Sequence, residues 1–145
     1  MPSNWGMSPT QSVLAECERR GRSAFVAGCI DLLDGAGADD TLIVALGGPA
    51  AEYVLGGGEG GRLGYWPRVW AARGLLHVWA DGAAGAIIGA TADDHWRVRE
   101  MAAKVIARHR IGDGLAAVVA LKDDRVARVR AAAERAVMTL SAEGA

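Results

Sequence analysis

The strongest constraint on this chain is that it repeats itself. The stretch "DDHWRVREMAAKVIARH" at 93–109 returns as "DDRVARVRAAAERAVMTL" at 123–140. Val98-Arg99 aligns with Val129-Arg130 at an offset of 31, and Asp93-Asp94 aligns with Asp123-Asp124 at an offset of 30. Further back, "RVWAARGLLHVW" at 68–79 aligns with "RVREMAAKVIAR" at 97–108, an offset of 29. A unit of this length cannot bury an apolar face alone and does so by stacking on its neighbours.

Within a unit the apolar spacing is helical. Val98, Met101, Ala102, Val105, Ile106 and His109 fall on one face, "IGDG" at 111–114 interrupts, and "LAAVVALK" at 115–122 forms a second, shorter helix. In the last copy Val126, Val129, Ala133, Ala136 and Leu140 share a face, with the charges opposite. The N-terminal part follows the same pattern more loosely. Helices are predicted over 10–20, 22–34, 40–47 (opened by Asp39 or Asp40) and 49–55 (Pro49 in the first turn), and "GGGEGGRLG" at 56–64 is expected to be a flexible loop. The apolar half of the composition is mostly Ala, Val, Leu and Ile with a single Phe, which suits close helix packing better than an aromatic-rich sandwich. The expectation is one all-α domain over 1–145, with clear repeats at 65–141 and a degenerate helical part at 10–55. At this length a core can form without disulfide staples.

Residues 93–137, with their Asp, then Val-Arg, then Ala-Ala, resemble HEAT repeats, particularly the short bacterial units of the phycobilisome-lyase type. The resemblance extends over about 65–141, and Trp70 stands where the other two copies have Arg. It implies a right-handed α-solenoid of four to five stacked antiparallel helix pairs. It further implies a structural ladder, in which an acid at the end of one unit accepts hydrogen bonds from the arginine at the start of the next helix. Asp93 with Arg99, and Asp124 with Arg130, are both six apart, as that ladder requires.

No stretch carries a catalytic signature. "GGGEGG" lacks the Lys-Ser/Thr of a phosphate loop and follows no strand; His77, His95 and His109 pair neither with one another nor with cysteine at ligand spacing; no serine lies in a nucleophile elbow. Neither enzyme activity nor a metal or cofactor is expected. Cys17 and Cys29 lie in helical stretches and are expected to be buried thiols of a reducing compartment. No apolar run approaches the length of a membrane span and the N-terminus lacks the features of a signal peptide, so a cytoplasmic protein is expected.

Tryptophan carries the functional signal. Of the five, four lie between 66 and 96, and Trp66, Trp70 and His77, with Arg73 or Gly74 between, form one helical stripe while Val69, Ala72, Leu76 and Trp79 form another. A helix apolar on two faces is either buried on both or offers one to a partner. Trp66 with Arg68, and Trp96 with Arg97, should open neighbouring helices, and Trp and Arg are the commonest interface anchors. Glu100, Lys104 and Arg108 follow at i, i+4, i+8, a solvated face or the polar rim of such a site.

Two functional readings result. One is a non-catalytic protein-interaction module or scaffold binding through Trp66, Arg68, Trp70, Arg73, Trp96, Arg97, Glu100 and Lys104; a chromophore- or lyase-associated unit follows only from the repeat subtype. The other is a DNA reader, similar to HEAT-like alkylpurine DNA glycosylases, with the tryptophans stacking on bases, Asp93 or Asp94 as the carboxylate, and Arg68, Arg97 or Arg99 on phosphate. Residues 1–95 carry 6 basic and 11 acidic side chains and residues 96–145 carry 10 and 6. That tilt is weaker than a dedicated nucleic-acid binder's.

Overall fold

The computed structural model describes residues 6–36 and 39–143, and every regular element among them is helical. None of these helices is long and apolar enough to cross a membrane. The chain divides into two compact units, Met1–Ala83 and Ala84–Ala145. Trp5 lies outside the described residues.

The first unit contains α1 (Pro9–Arg20), α2 (Arg22–Leu33), α3 (Asp40–Gly47), α4 (Ala50–Leu55) and α5 (Tyr65–His77). Helix α1 starts on a reciprocal cap, the Ser8 hydroxyl accepting from the Gln11 N–H while the Gln11 side chain accepts from the Ser8 N–H, with Pro9 at the first helical position. Gly21, at φ 93°, turns the chain into α2. Asp39, one of the two acids expected to open α3, is its cap and accepts from the Leu42 N–H at 2.8 Å. Helices α2 and α3 both pack on α5. Phe25, Leu42, Ile43, Leu46, Trp70 and Leu75 make the core between them.

Two glycines set how closely these helices approach. A Cβ on Gly47 would lie 2.5 Å from the Trp70 ring, and one on Gly74 would lie 2.8 Å from Leu46 Cδ2. The glycine-rich stretch is not a featureless loop. Gly58–Leu63 makes short turns broken by a kink at Glu59, Gly60 and Gly61, all at positive φ; Tyr65 Oη donates to Glu59 Oε2 at 2.6 Å, and Arg62 pairs with Asp40. Cys17 and Cys29 are free thiols, Cys17 half-buried and Cys29 buried, and burial pushes the Cys29 thiol up to about 12.

The second unit contains α6 (Ala84–Ala90), α7 (Trp96–His109), α8 (Leu115–Leu121) and α9 (Ala127–Glu143). Here the repeat becomes visible in the backbone. The 3-10 turns Asp81–Ala83 and Gly112–Gly114, the helices α6 and α8, and the starts of α7 and α9 all share an offset of 31. Asp93 therefore matches Asp124, and of the three sequence offsets the largest, 31, is the structural one. Helix α7 ends at Arg110 in a left-handed conformation, φ 51°, just ahead of the expected break at 111–114. Helices α7 and α9 pack along their length through Val98, Ala102, Val105, Val129, Ala133 and neighbouring small side chains.

Candidate interaction surface

The repeated Asp and Arg form a single device used twice. Asp93 Oδ1 accepts from the His95 N–H and Asp124 Oδ1 accepts from the Val126 N–H, each at 2.9 Å, turning the chain into α7 and α9. Six positions on, Arg99 Nη1 donates to the main-chain oxygen of Asp93 at 2.9 Å, and Arg130 Nη1 to that of Asp124 at 2.7 Å. The ladder therefore differs from the expected one: the pairs six apart meet through the backbone carbonyl, not the carboxylate. The carboxylate contact is longer in range. Arg99 Nε and Nη2 grip Asp124 Oδ2 and Oδ1 at 2.8 and 3.2 Å, joining α7 to the turn before α9 with both side chains about nine-tenths buried. Burial works to raise the Asp124 carboxyl, but the Arg99 fork and the Val126 N–H outweigh it and hold it below its ordinary range.

Beside this device lies an aromatic and cationic cluster. Trp96 opens α7 with its ring half-buried. The Arg97 guanidinium lies 4.5 Å and that of Arg128 5.0 Å from the ring centroid, and the His95 ring stacks at 6.0 Å. Arg128 is held there by Glu100, which accepts from its Nε and Nη2 at 3.0 and 3.1 Å, while Lys104 Nζ stands 3.7 Å from the same carboxylate. Glu100 is buried, so of the two readings of Glu100, Lys104 and Arg108 the solvated face is corrected at its first position. An acid tucked between α7 and α9 sets the exposed Arg128 in place. Sequence reasoning missed Arg128, although it occupies in the last copy the place that Arg97 holds in the one before.

The Trp66 and Trp70 stripe separates. Trp70 is 4% exposed beneath Gly47, so it is core and not a docking residue, because the side-chain-free Gly47 lets α3 come down onto it. Trp66 is half-buried, stacked on Trp70 with centroids 6.1 Å apart and tilted against Tyr65 at 5.1 Å. Arg68 Nη1 donates to the Gly64 oxygen at 2.9 Å and reaches the Leu63 oxygen at 3.3 Å. That is the turn-closing role of Arg99 at the start of α7. Matching α5 to α7 at the structural offset pairs Arg68 with Arg99, whereas the sequence alignment paired it with Arg97. Buried positions agree: Pro67, Ala71, Ala72 and Leu75 match Val98, Ala102, Ala103 and Ile106. Arg73 reaches α3, its Nη2 donating to the Leu46 oxygen at 2.6 Å.

A second ionic network, unread from the sequence, fastens α1 to α3. Glu16 is buried and accepts from Arg19 and Arg20, and Arg20 also forks onto Asp39 at 2.9 and 3.0 Å. The Arg20 fork and the Leu42 N–H hold the Asp39 carboxyl at about 2. For Glu16, burial acts upward, but the two arginines outweigh it and leave the carboxyl below its usual range. Among the described residues no group of three or more His, Cys, Asp or Glu is placed to hold a metal ion. Comparison with protein-family models, with curated proteins and with solved structures returned no match.

Proposed function

We propose that the chain is a non-catalytic interaction module whose HEAT-like helix pairs form a right-handed α-solenoid, and that its α7–α9 face docks an acidic segment of another protein. The observation that carries this reading is Trp96 with the Arg97 and Arg128 guanidinium groups 4.5 and 5.0 Å from its ring centroid, Arg128 being held by Glu100. Arg97, Arg128 and Lys104 bring three cations to this face while the acid among them, Glu100, is buried, so the cluster turns positive charge toward a negative partner. A large aromatic side chain with pre-positioned arginines is the make-up of an interface hot spot. The repeated Asp-Arg device supports the stacked-pair architecture because Arg99 of one copy grips Asp124 of the next, a nearest-neighbour contact.

The test is affinity capture from a native extract with wild type, Trp96→Ala and Arg97→Ala, each first shown to keep its helical spectrum. The expected outcome is a captured protein with an acidic binding segment, lost or weakened by at least about 2 kcal/mol in Trp96→Ala, and eluted by salt. Capture that is unchanged in both variants removes this face from consideration.

A second reading, nucleic-acid recognition, draws on the same cationic and aromatic cluster and on a groove of about 400 Å3 lined by Asp93, Asp94, Arg99, Asp124 and Arg125. In that groove Asp93 and Asp124 serve the turns and the ladder, which leaves Asp94 as the carboxylate for chemistry on a base. Trp70, being core, contributes nothing to base stacking.

A further inference from the structure

The first unit holds a cleft that the docking reading does not use. It is formed by the first turn of α1 (Ser8, Pro9, Ser12), the end of α3 (Ala45, Leu46) and Arg73 from α5. Its volume is about 140 Å3, too small for a drug-sized ligand.

Two carbonyl oxygens of this cleft are engaged, while one buried donor, Arg73 Nε, is not. The Ala45 oxygen accepts from the Ser12 hydroxyl and the Leu46 oxygen accepts from Arg73 Nη2, both at 2.6 Å. Arg73 has five N–H donors. Beyond the bond to Leu46, its Nε is buried with no partner among the described residues. No acid among the described residues lines the cleft. Burial alone moves the Arg73 guanidinium below its ordinary value, so this is a partly desolvated cation without a counter-ion among the described residues. The first turn of α1 adds the positive end of a 12-residue helix.

We propose that this cleft binds a carboxylate, held by the Arg73 fork, with a short apolar tail against Pro9, Ala45 and Leu46. A planar, singly charged carboxylate matches one guanidinium, and Arg73 is the one cation lining the cleft among the described residues, whereas desolvating a doubly charged phosphate costs more than a single cation offsets. The same carboxylate chemistry is carried by a small free acid and by a Glu side chain of a peptide.

Titration of the full chain, labelled with nitrogen-15, decides the matter, because the buried Arg73 Nε–H gives its own cross-peak. The probes are butyrate, an acetylated and amidated Ala-Glu-Ala peptide, and inorganic phosphate. Expected is a saturable shift at Arg73 Nε and at the Ser12 and Leu46 amides with butyrate or the peptide, at least about tenfold tighter than with phosphate. Tighter binding of butyrate identifies a free acid as ligand, and tighter binding of the peptide identifies a Glu side chain. Arg73→Lys, which keeps the charge and loses the fork, should weaken binding about tenfold or more. Phosphate binding as tightly as the carboxylates, or no saturable shift at Arg73, overturns the proposal; the wild-type titration gives that answer even if Arg73→Lys does not fold.

Discussion

Arg99 and Arg130 stand at one place in two successive copies of a motif, and they do unequal work. Both close the turn before their helix through a main-chain oxygen, but Arg99 in addition grips a buried carboxylate, that of Asp124. Arg99→Ala leaves that acid desolvated without its donor and should cost about 1 to 3 kcal/mol, while Arg130→Ala forfeits a hydrogen bond worth about 0.5 to 1.5 kcal/mol. Urea unfolding of the two variants measures the difference; equal losses would mean that the Asp124 contact contributes nothing. A second residue-scale test uses Arg20. Its partner Asp39 has a folded pKa of about 2 against an ordinary 3.8, so the bridge's stabilisation is complete above pH 4 and disappears as the pH falls through about 2. Asp39→Asn keeps a competent helix cap and loses the ionic part. The melting temperature of wild type should therefore exceed that of the variant at pH 7, and the gap should close between pH 4 and 2. Half-exposed as Asp39 is, the gap should also shrink in high salt. The sequence made the Asp-Arg repetition plain but not its partners. The pairing of Arg99 with the Asp93 turn is local and visible, whereas Asp124 belongs to the next copy, and only the packed backbone brings it to Arg99.

At the scale of elements, local chemistry was the readable part. Asp39 at the start of α3 and the "IGDG" break act through near neighbours in the chain, and the helices lie close to where apolar spacing puts them, although the Ser8 and Pro9 start of α1 went unread. Helix α5 was harder. Apolar on two stripes, it has no single face from which register can be read, so Arg68-Val69 aligned with Arg97-Val98 although its structural counterpart is Arg99-Glu100. What fixes α5 is its fit under α3. Gly47 lies against the Trp70 ring at a distance that admits no Cβ, so Gly47→Ala should overpack the site and cost about 1 to 3 kcal/mol. Trp70→Ala opens a cavity in the same core and should cost about 3 to 5 kcal/mol, enough to unfold many domains of this size. Thermal melts followed by circular dichroism test both. If Trp70→Ala melts like wild type, the indole is not the core residue its burial makes it.

At the scale of the whole molecule, the question is which macromolecule the cationic face meets. A protein partner and a nucleic acid would both be drawn to Arg97, Arg128 and Lys104, so weakening by salt does not distinguish them. Its steepness does. A duplex released from several phosphate contacts loses affinity with a log-log slope of about −0.9 per phosphate, so three cations give a slope near −3, and a site read through Trp96 stacking should prefer unpaired or damaged bases. Titrating undamaged and alkylated duplexes at two salt concentrations is therefore the informative measurement. The interaction module predicts weak binding, equal for the two duplexes, and no release of base. The lesion reader predicts tighter binding of the alkylated duplex and base release that is abolished by Asp94→Asn. Asp94 suits that control because the turn and ladder contacts to carboxylates fall on Asp93 and Asp124, so its loss should leave stability near wild type. Base release that persists in Asp94→Asn would move the chemistry to another carboxylate, and base release by wild type in any form would displace the module reading altogether.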